Sequence, residues 1–104
     1  MDPASWDNTL KAIEAYSTVH TGLFTGAGIK IGILESGYAA CDVSNVNLSN
    51  KHIIIDSNCS GTDDHATKVT SIAALMAPDA EFYCSATKVI NRGIGWFIDR
   101  KCDV

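Results

Sequence analysis

Apolar positions along the chain alternate between short strand-like runs and helical stripes. Between Gly28 and Gly37, GIKIGILESG, the residues Ile29, Ile31, Ile33 and Leu34 make a nearly continuous apolar run bounded by glycine. That pattern predicts a strand buried on both faces, central in a parallel sheet. Ile53, Ile54 and Ile55 predict a second short strand over Lys51 to Asp56. AEFYCSA, from Ala80 to Ala86, predicts a third, entered through the turn Ala77-Pro78-Asp79. Helical spacing appears in three other places. Leu10, Ile13, Tyr16 (or Ser17), Val19 and Leu23 predict a helix from Asp2 to about His20, capped by Asp2, with Pro3 in its first turn and Trp6 packed at its start. His65, Val69, Ile72, Ala73 and Met76 share one face of a second helix, which Pro78 ends and Asp63 or Asp64 caps. This places His65 in the first turn, on the inward face. Val89, Ile90, Ile94, Phe97 and Ile98 predict the inner stripe of a third helix over Thr87 to Arg100, with Trp96 at its margin. Cys102-Asp103-Val104 reads as the beginning of one more strand.

The order of these elements implies an α/β fold: a partial parallel sheet with flanking helices and right-handed crossovers. The length of 104 residues suits a single domain. Residues 1–25 supply the N-terminal helix and connection, and residues 26–104 the α/β region. Gly26-Ala27-Gly28 precedes its strand instead of following one and opening a helix. It therefore lacks the arrangement of a dinucleotide-binding loop and reads as the turn into the strand.

Charge narrows the functional classes. The net charge is −4, the pI about 5.1, and the Lys and Arg residues are scattered. No basic patch is available to neutralise phosphates, so nucleic acid is not an expected partner. No apolar run approaches the ~18 residues of a membrane helix, and MDPASWDNTL has neither the basic start nor the apolar core of a secretory signal. Cellular location is left open. Cys41, Cys59, Cys84 and Cys102 form no CxxC motif. They read as reduced, mostly buried thiols, although three disulfide pairings remain formally open. His20, His52 and His65 show no metal-ligand spacing, either with one another or with the cysteines.

The candidate chemistry lies at Glu35 and His65. In open α/β sheets, functional groups gather beyond the carboxyl ends of the strands, where Glu35 is expected. A carboxylate that orients a histidine sets its tautomer and stabilises the imidazolium. The other ring nitrogen is then free to take a proton from a nucleophile.

The surrounding segments resemble the subtilases, the subtilisin-like serine peptidases. GAGIKIGILESG matches their apolar strand ending in Asp-Thr/Ser-Gly. HATKVTSIAALMAPDAEFYC matches their HGTHVA helix and the APxA turn into a strand. VINRGIGWFIDRKCDV matches their I-x-W-A-I helix leading into a DV strand. The three matches occur in family order and span most of residues 26–104. The resemblance implies the N-terminal portion of a subtilisin-like three-layer fold and peptide-bond hydrolysis on a peptide or protein substrate. Glu35 would orient, and His65 would serve as general base and then general acid. There are departures: Glu35 stands for the family's Asp, Ala66 for its Gly and Lys68 for its second His. The family's Gly-Thr-Ser nucleophile motif does not occur in these residues, and neither Ser36 nor Ser60 fits the role. The expectation is therefore two triad members that are inactive without a C-terminal complementing segment, with an apolar sheet edge at Val104 and a tendency to self-associate. The other reading is a non-catalytic interaction or scaffold module. No cofactor is evident. Calcium is implied by the family alone, since no Asp-rich ligand run stands out, and family members are mostly exported.

Overall fold

A computed structural model describes Asn8, Lys11 and residues 24–37, 39–40, 42–45, 48–56 and 61–104. Asn8 and Lys11 are helical; the rest of the predicted N-terminal helix, with its stripe and Trp6, as well as Cys41, Cys59 and Ser60, lie outside the described residues. The fold is mixed α/β. Strands β1 (Lys30–Glu35), β2 (His52–Ile55) and β3 (Glu81–Ala86) form a parallel sheet in the order β1-β3-β2. Helix α1 (His65–Met76) links β2 to β3, and α2 (Ile90–Asp99) follows β3.

The middle strand is β3, not β1. Phe82, Tyr83, Cys84, Ser85 and Ala86 are all buried, which is the two-faced burial expected of β1. β1 is only partly covered: Ile33 is buried, but Leu34 on the opposite face is 40% exposed. The difference lies in what covers each face. α1 seals the face carrying Ile33, whereas α2 reaches only part of the other. The outer edge of β1 is not bare. Asp103 N–H donates to Lys30 O at 2.8 Å, and Gly32 N–H donates to Val104 O at 2.8 Å. Residues 102–104 thus lie along this edge in backbone contact but do not form the strand expected of them, and Val104 is 80% exposed.

The turn into β1 needs its glycine. Gly26 has φ of +82° and accepts from Ile29 N–H at 3.0 Å. A Cβ at Gly26 would lie 2.8 Å from that of Ala77, so the start of β1 and the end of α1 pass too closely for a side chain.

Both helices pack differently from their apolar stripes. α1 turns its small face inward: Ala66, Thr67, Thr70, Ser71, Ala74 and Leu75 are buried, while His65, Ile72 and Met76 are exposed. Small side chains let the helix approach the sheet closely, and van der Waals contact with Phe82 and Cys84 outweighs the larger apolar area of the other face. The buried hydroxyls are accommodated by hydrogen bonds, as when Ser71 donates to Thr67 O at 2.7 Å. In α2 only Gly93 is fully buried. A Cβ there would meet Leu34 Cδ1 at 2.7 Å, and one on Gly32 would meet the Phe97 ring at 3.0 Å. The contact is therefore made by glycine against side chain. Val89, Ile90, Ile94 and Ile98 stay exposed, Ile98 at 69%. Trp96 bridges Tyr83 and Phe97 in edge-on ring contacts with centroids 6.0 and 5.4 Å away, and Arg100 lies 4.5 Å over its ring.

No helix among the described residues is long and apolar enough to cross a membrane. Neither Cys84 nor Cys102 is in a disulfide. Cys84 is fully buried, and partial burial pushes the Cys102 thiol up from its ordinary value. Phe82→Ala should cost about 3–5 kcal/mol in denaturant unfolding. Ile98→Ala, ranked as core by periodicity, should stay within about 0.5 kcal/mol. At mildly alkaline pH, alkylation followed by peptide mapping should find Cys84 protected. Cys102 should react more slowly in the folded than in the unfolded chain, because its thiolate forms only at higher pH.

Candidate active site

Glu35 is the last residue of β1 and pairs with Ala86 at the end of β3. Side chains alternate along a strand, so Glu35 shares the α1 face with Ile31 and Ile33. The Ser36-Gly37 turn follows, closed by Ala39 N–H donating to Ser36 O at 3.0 Å. Gly37 lies against the loop that leaves β3. A Cβ there would collide with Lys88 Cγ and would lie 2.9 Å from the Lys88 backbone nitrogen.

His65 opens α1. Of the two candidate caps, Asp63 makes the contact: its Oδ1 accepts from His65 N–H at 2.8 Å. Asp64 makes no side-chain cap bond and pairs instead with Lys68, 3.2 Å away on an exposed face.

The two sequence-nominated residues meet. His65 Nδ1 lies 2.8 Å from Glu35 Oε1, across a sequence separation of 30. A carboxylate can only accept, so the contact assigns the proton to Nδ1. In the neutral ring this leaves Nε2 with its lone pair, and Nε2 has no hydrogen-bond partner among the described residues. The Glu35 side chain is 14% exposed and that of His65 is 64% exposed. A sheltered acid thus holds an accessible imidazole, the polarity that a general base facing solvent or substrate requires. His65 does not pack inward as its spacing predicts. Ala66 takes the buried place beside it, so its methyl group points to the core and leaves the imidazole clear.

Sequence reasoning missed the segment that links the two halves. Ala39 and Asp63 form an isolated parallel bridge, with Ala40 N–H donating to Asp63 O at 2.7 Å. Thr67 Oγ1 accepts from Asp42 N–H at 2.8 Å and donates to Ala40 O at 3.1 Å. Asp42 in turn is held by Ser44. The Ser44 hydroxyl (2.6 Å) and N–H (3.0 Å) both donate to its Oδ1 and keep its carboxyl below the usual carboxylate range. No periodicity marks such contacts, although the turn-forming composition of residues 42–45 is a weak local signal.

Two other features lie apart from the pair. Buried Asp56 accepts from the Ser85 hydroxyl at 2.8 Å, on the α2 side of the sheet. A groove of about 270 Å³, lined by Leu34, Ile94, Phe97, Ile98 and Val104 among others, lies on that same side and does not include Glu35 or His65. Among the described residues, no group of three or more His, Cys, Asp or Glu is placed to hold a metal ion.

Comparison with protein-family models, with curated proteins and with solved structures finds no match to this chain.

A single hydrogen bond contributes only about 0.5–1.5 kcal/mol net, so the backbone must bring Glu35 and His65 together. Gly37→Ala tests that dependence. The collision with Lys88 backbone should cost about 1–3 kcal/mol and displace the β1 end. Thermal unfolding should show the loss, and the NMR signals of the His65 ring should shift while those of Phe82 stay in place.

Proposed function

We propose that Glu35 and His65 are the orienting acid and the general base of a subtilisin-like serine peptidase domain, of which this chain is the N-terminal portion. The observation that carries the reading is the 2.8 Å contact between Glu35 Oε1 and His65 Nδ1 at the carboxyl end of a parallel sheet. In this reading Nε2 takes the proton of a serine hydroxyl as that oxygen attacks a peptide carbonyl. It then returns the proton to the leaving amine, while Glu35 stabilises the imidazolium. The extra methylene of Glu35 relative to the family's Asp is absorbed in the span to His65, which remains at hydrogen-bond distance.

The serine and the oxyanion donors come from a complementing segment, since no Gly-Thr-Ser motif occurs in these residues. The backbone hydrogen bonds of Asp103 and Val104 along the outer edge of β1 support a place for that segment beside the sheet. A non-catalytic scaffold needs no contact between Glu35 and His65. The exposed pairing of Lys68 with Asp64, where the family has a second His, is the feature that favours that alternative.

The test is labelling of the native protein by a serine-directed fluorophosphonate, together with sequencing of its transcript past the Val104 codon. The expected outcome is a labelled serine in a Gly-Thr-Ser segment. Labelling should be abolished by His65→Ala and slowed by about 10⁴ by Glu35→Gln, the order found when an orienting acid becomes an amide. A transcript that ends without such a segment, with no labelling, would leave a scaffold.

A further inference from the structure

Glu35 and His65 belong to separately built parts of the fold. The Cα of Glu35 is set by the β1–β3 register, and that of His65 by the seating of α1. Their own contact is a single hydrogen bond to a largely exposed imidazole, too little to hold those parts in place. Ala40 and Asp42, beyond the turn after Glu35, lie against the first turn of α1, and Thr67 is the side chain that fastens them there.

We propose that Thr67 is a positioning residue for the Glu35–His65 pair: its hydroxyl ties the segment leaving β1 to the helical turn that carries His65, and this holds the imidazole at hydrogen-bond distance from the carboxylate. The proposal rests on the reading of Glu35 and His65 as a working pair, and extends it to the device that sets their separation.

Three observations carry it. Thr67 is two residues beyond His65 in the same helical turn, but faces inward and is buried. Its hydroxyl makes both bonds available to it within the segment, accepting from Asp42 N–H and donating to Ala40 O. A buried hydroxyl with both roles filled resists displacement, because shifting it leaves two backbone groups unpaired. Lastly, Asp42 spends its own side chain on Ser44. Its N–H is thereby presented to Thr67 by a turn that is itself held. The Ala40–Asp63 bond fixes the helix entry from the other side, so α1 can neither slide along the sheet nor rotate without breaking this strap.

Serine can fill both hydroxyl roles, whereas valine has the same shape and can fill neither. The experiment reads the His65 tautomer by long-range ¹H–¹⁵N correlation of ring-labelled protein at a pH where the imidazole is neutral, because the tautomer reports the Nδ1 hydrogen bond directly. Glu35→Ala provides the benchmark for a lost pair. Ser71→Ala is the control, since it removes a buried hydroxyl of the same helix whose bond stays within that helix. The expected result is that wild type, Thr67→Ser and Ser71→Ala keep the Nδ1–H form, and that Thr67→Val loses it as Glu35→Ala does.

Retention of the Nδ1–H form in Thr67→Val, with its loss in Glu35→Ala, overturns the positioning role and leaves the pair standing. Loss in Ser71→Ala as well overturns it in favour of general loosening of α1. A tautomer that Glu35→Ala does not move overturns the pair and the positioning role together. Should Thr67→Val fail to fold, wild type in rising sub-denaturing urea gives the answer. Exchange of the Asp42 amide and loss of the Nδ1–H form should follow one curve, and an Nδ1–H form that outlasts protection of Asp42 overturns the proposal.

Discussion

The seating of α1 on β3 is the contact on which the arrangement depends. Phe82, Cys84 and Ala86 project from the middle strand into a layer formed by Ala66, Ala74 and Ala80, and all six are almost inaccessible to solvent. Packing this close is possible because the helix offers alanine, threonine and serine along that face. Larger side chains would hold the axis away from the sheet and would move the first turn of α1 off the end of β1. The same contact explains why Gly26 passes so near Ala77, and why the polar groups within the layer, Thr67 and Ser71, have partners.

The candidate site inherits its geometry from that packing. Parallel pairing aligns the ends of β1 and β3, and the crossover from β2 delivers the N-terminus of α1 to the same edge. Glu35 and His65 therefore meet although neither lies near the other in the chain. The contact sets the tautomer, and the tautomer decides which ring nitrogen is left as a base. The step from fold to chemistry runs through one hydrogen bond, with a sheltered acceptor on one side and an exposed donor ring on the other.

The opposite face of the sheet is built less tightly. α2 touches it through Gly93, Phe97 and Trp96 and leaves Ile94 and Ile98 at the surface beside Leu34 and Val104. This apolar strip is continuous with the outer edge of β1, where the backbone of Asp103 and Val104 already pairs. Periodicity correctly marks these α2 residues as apolar but cannot say whether a given stripe is covered. Coverage depends on the chain that lies opposite.

Local sequence determined the elements themselves. A glycine-bounded apolar run marks β1 and contiguous isoleucines mark β2, helical spacing and Pro78 delimit α1, and the strand-end position of Glu35 and the helix-start position of His65 follow from those boundaries. These features depend on backbone preferences and on neighbours a few residues away, which a linear pattern records. Tertiary structure alone decided three things. It put β3 in the middle of the sheet instead of β1. It turned the small face of α1 inward, leaving His65 in the open, and it used Thr67 to join the end of β1 to the helix. Each depends on how closely two distant surfaces approach and on which polar groups are thereby removed from water. That balance of packing, desolvation and hydrogen bonding exists only when both surfaces are present.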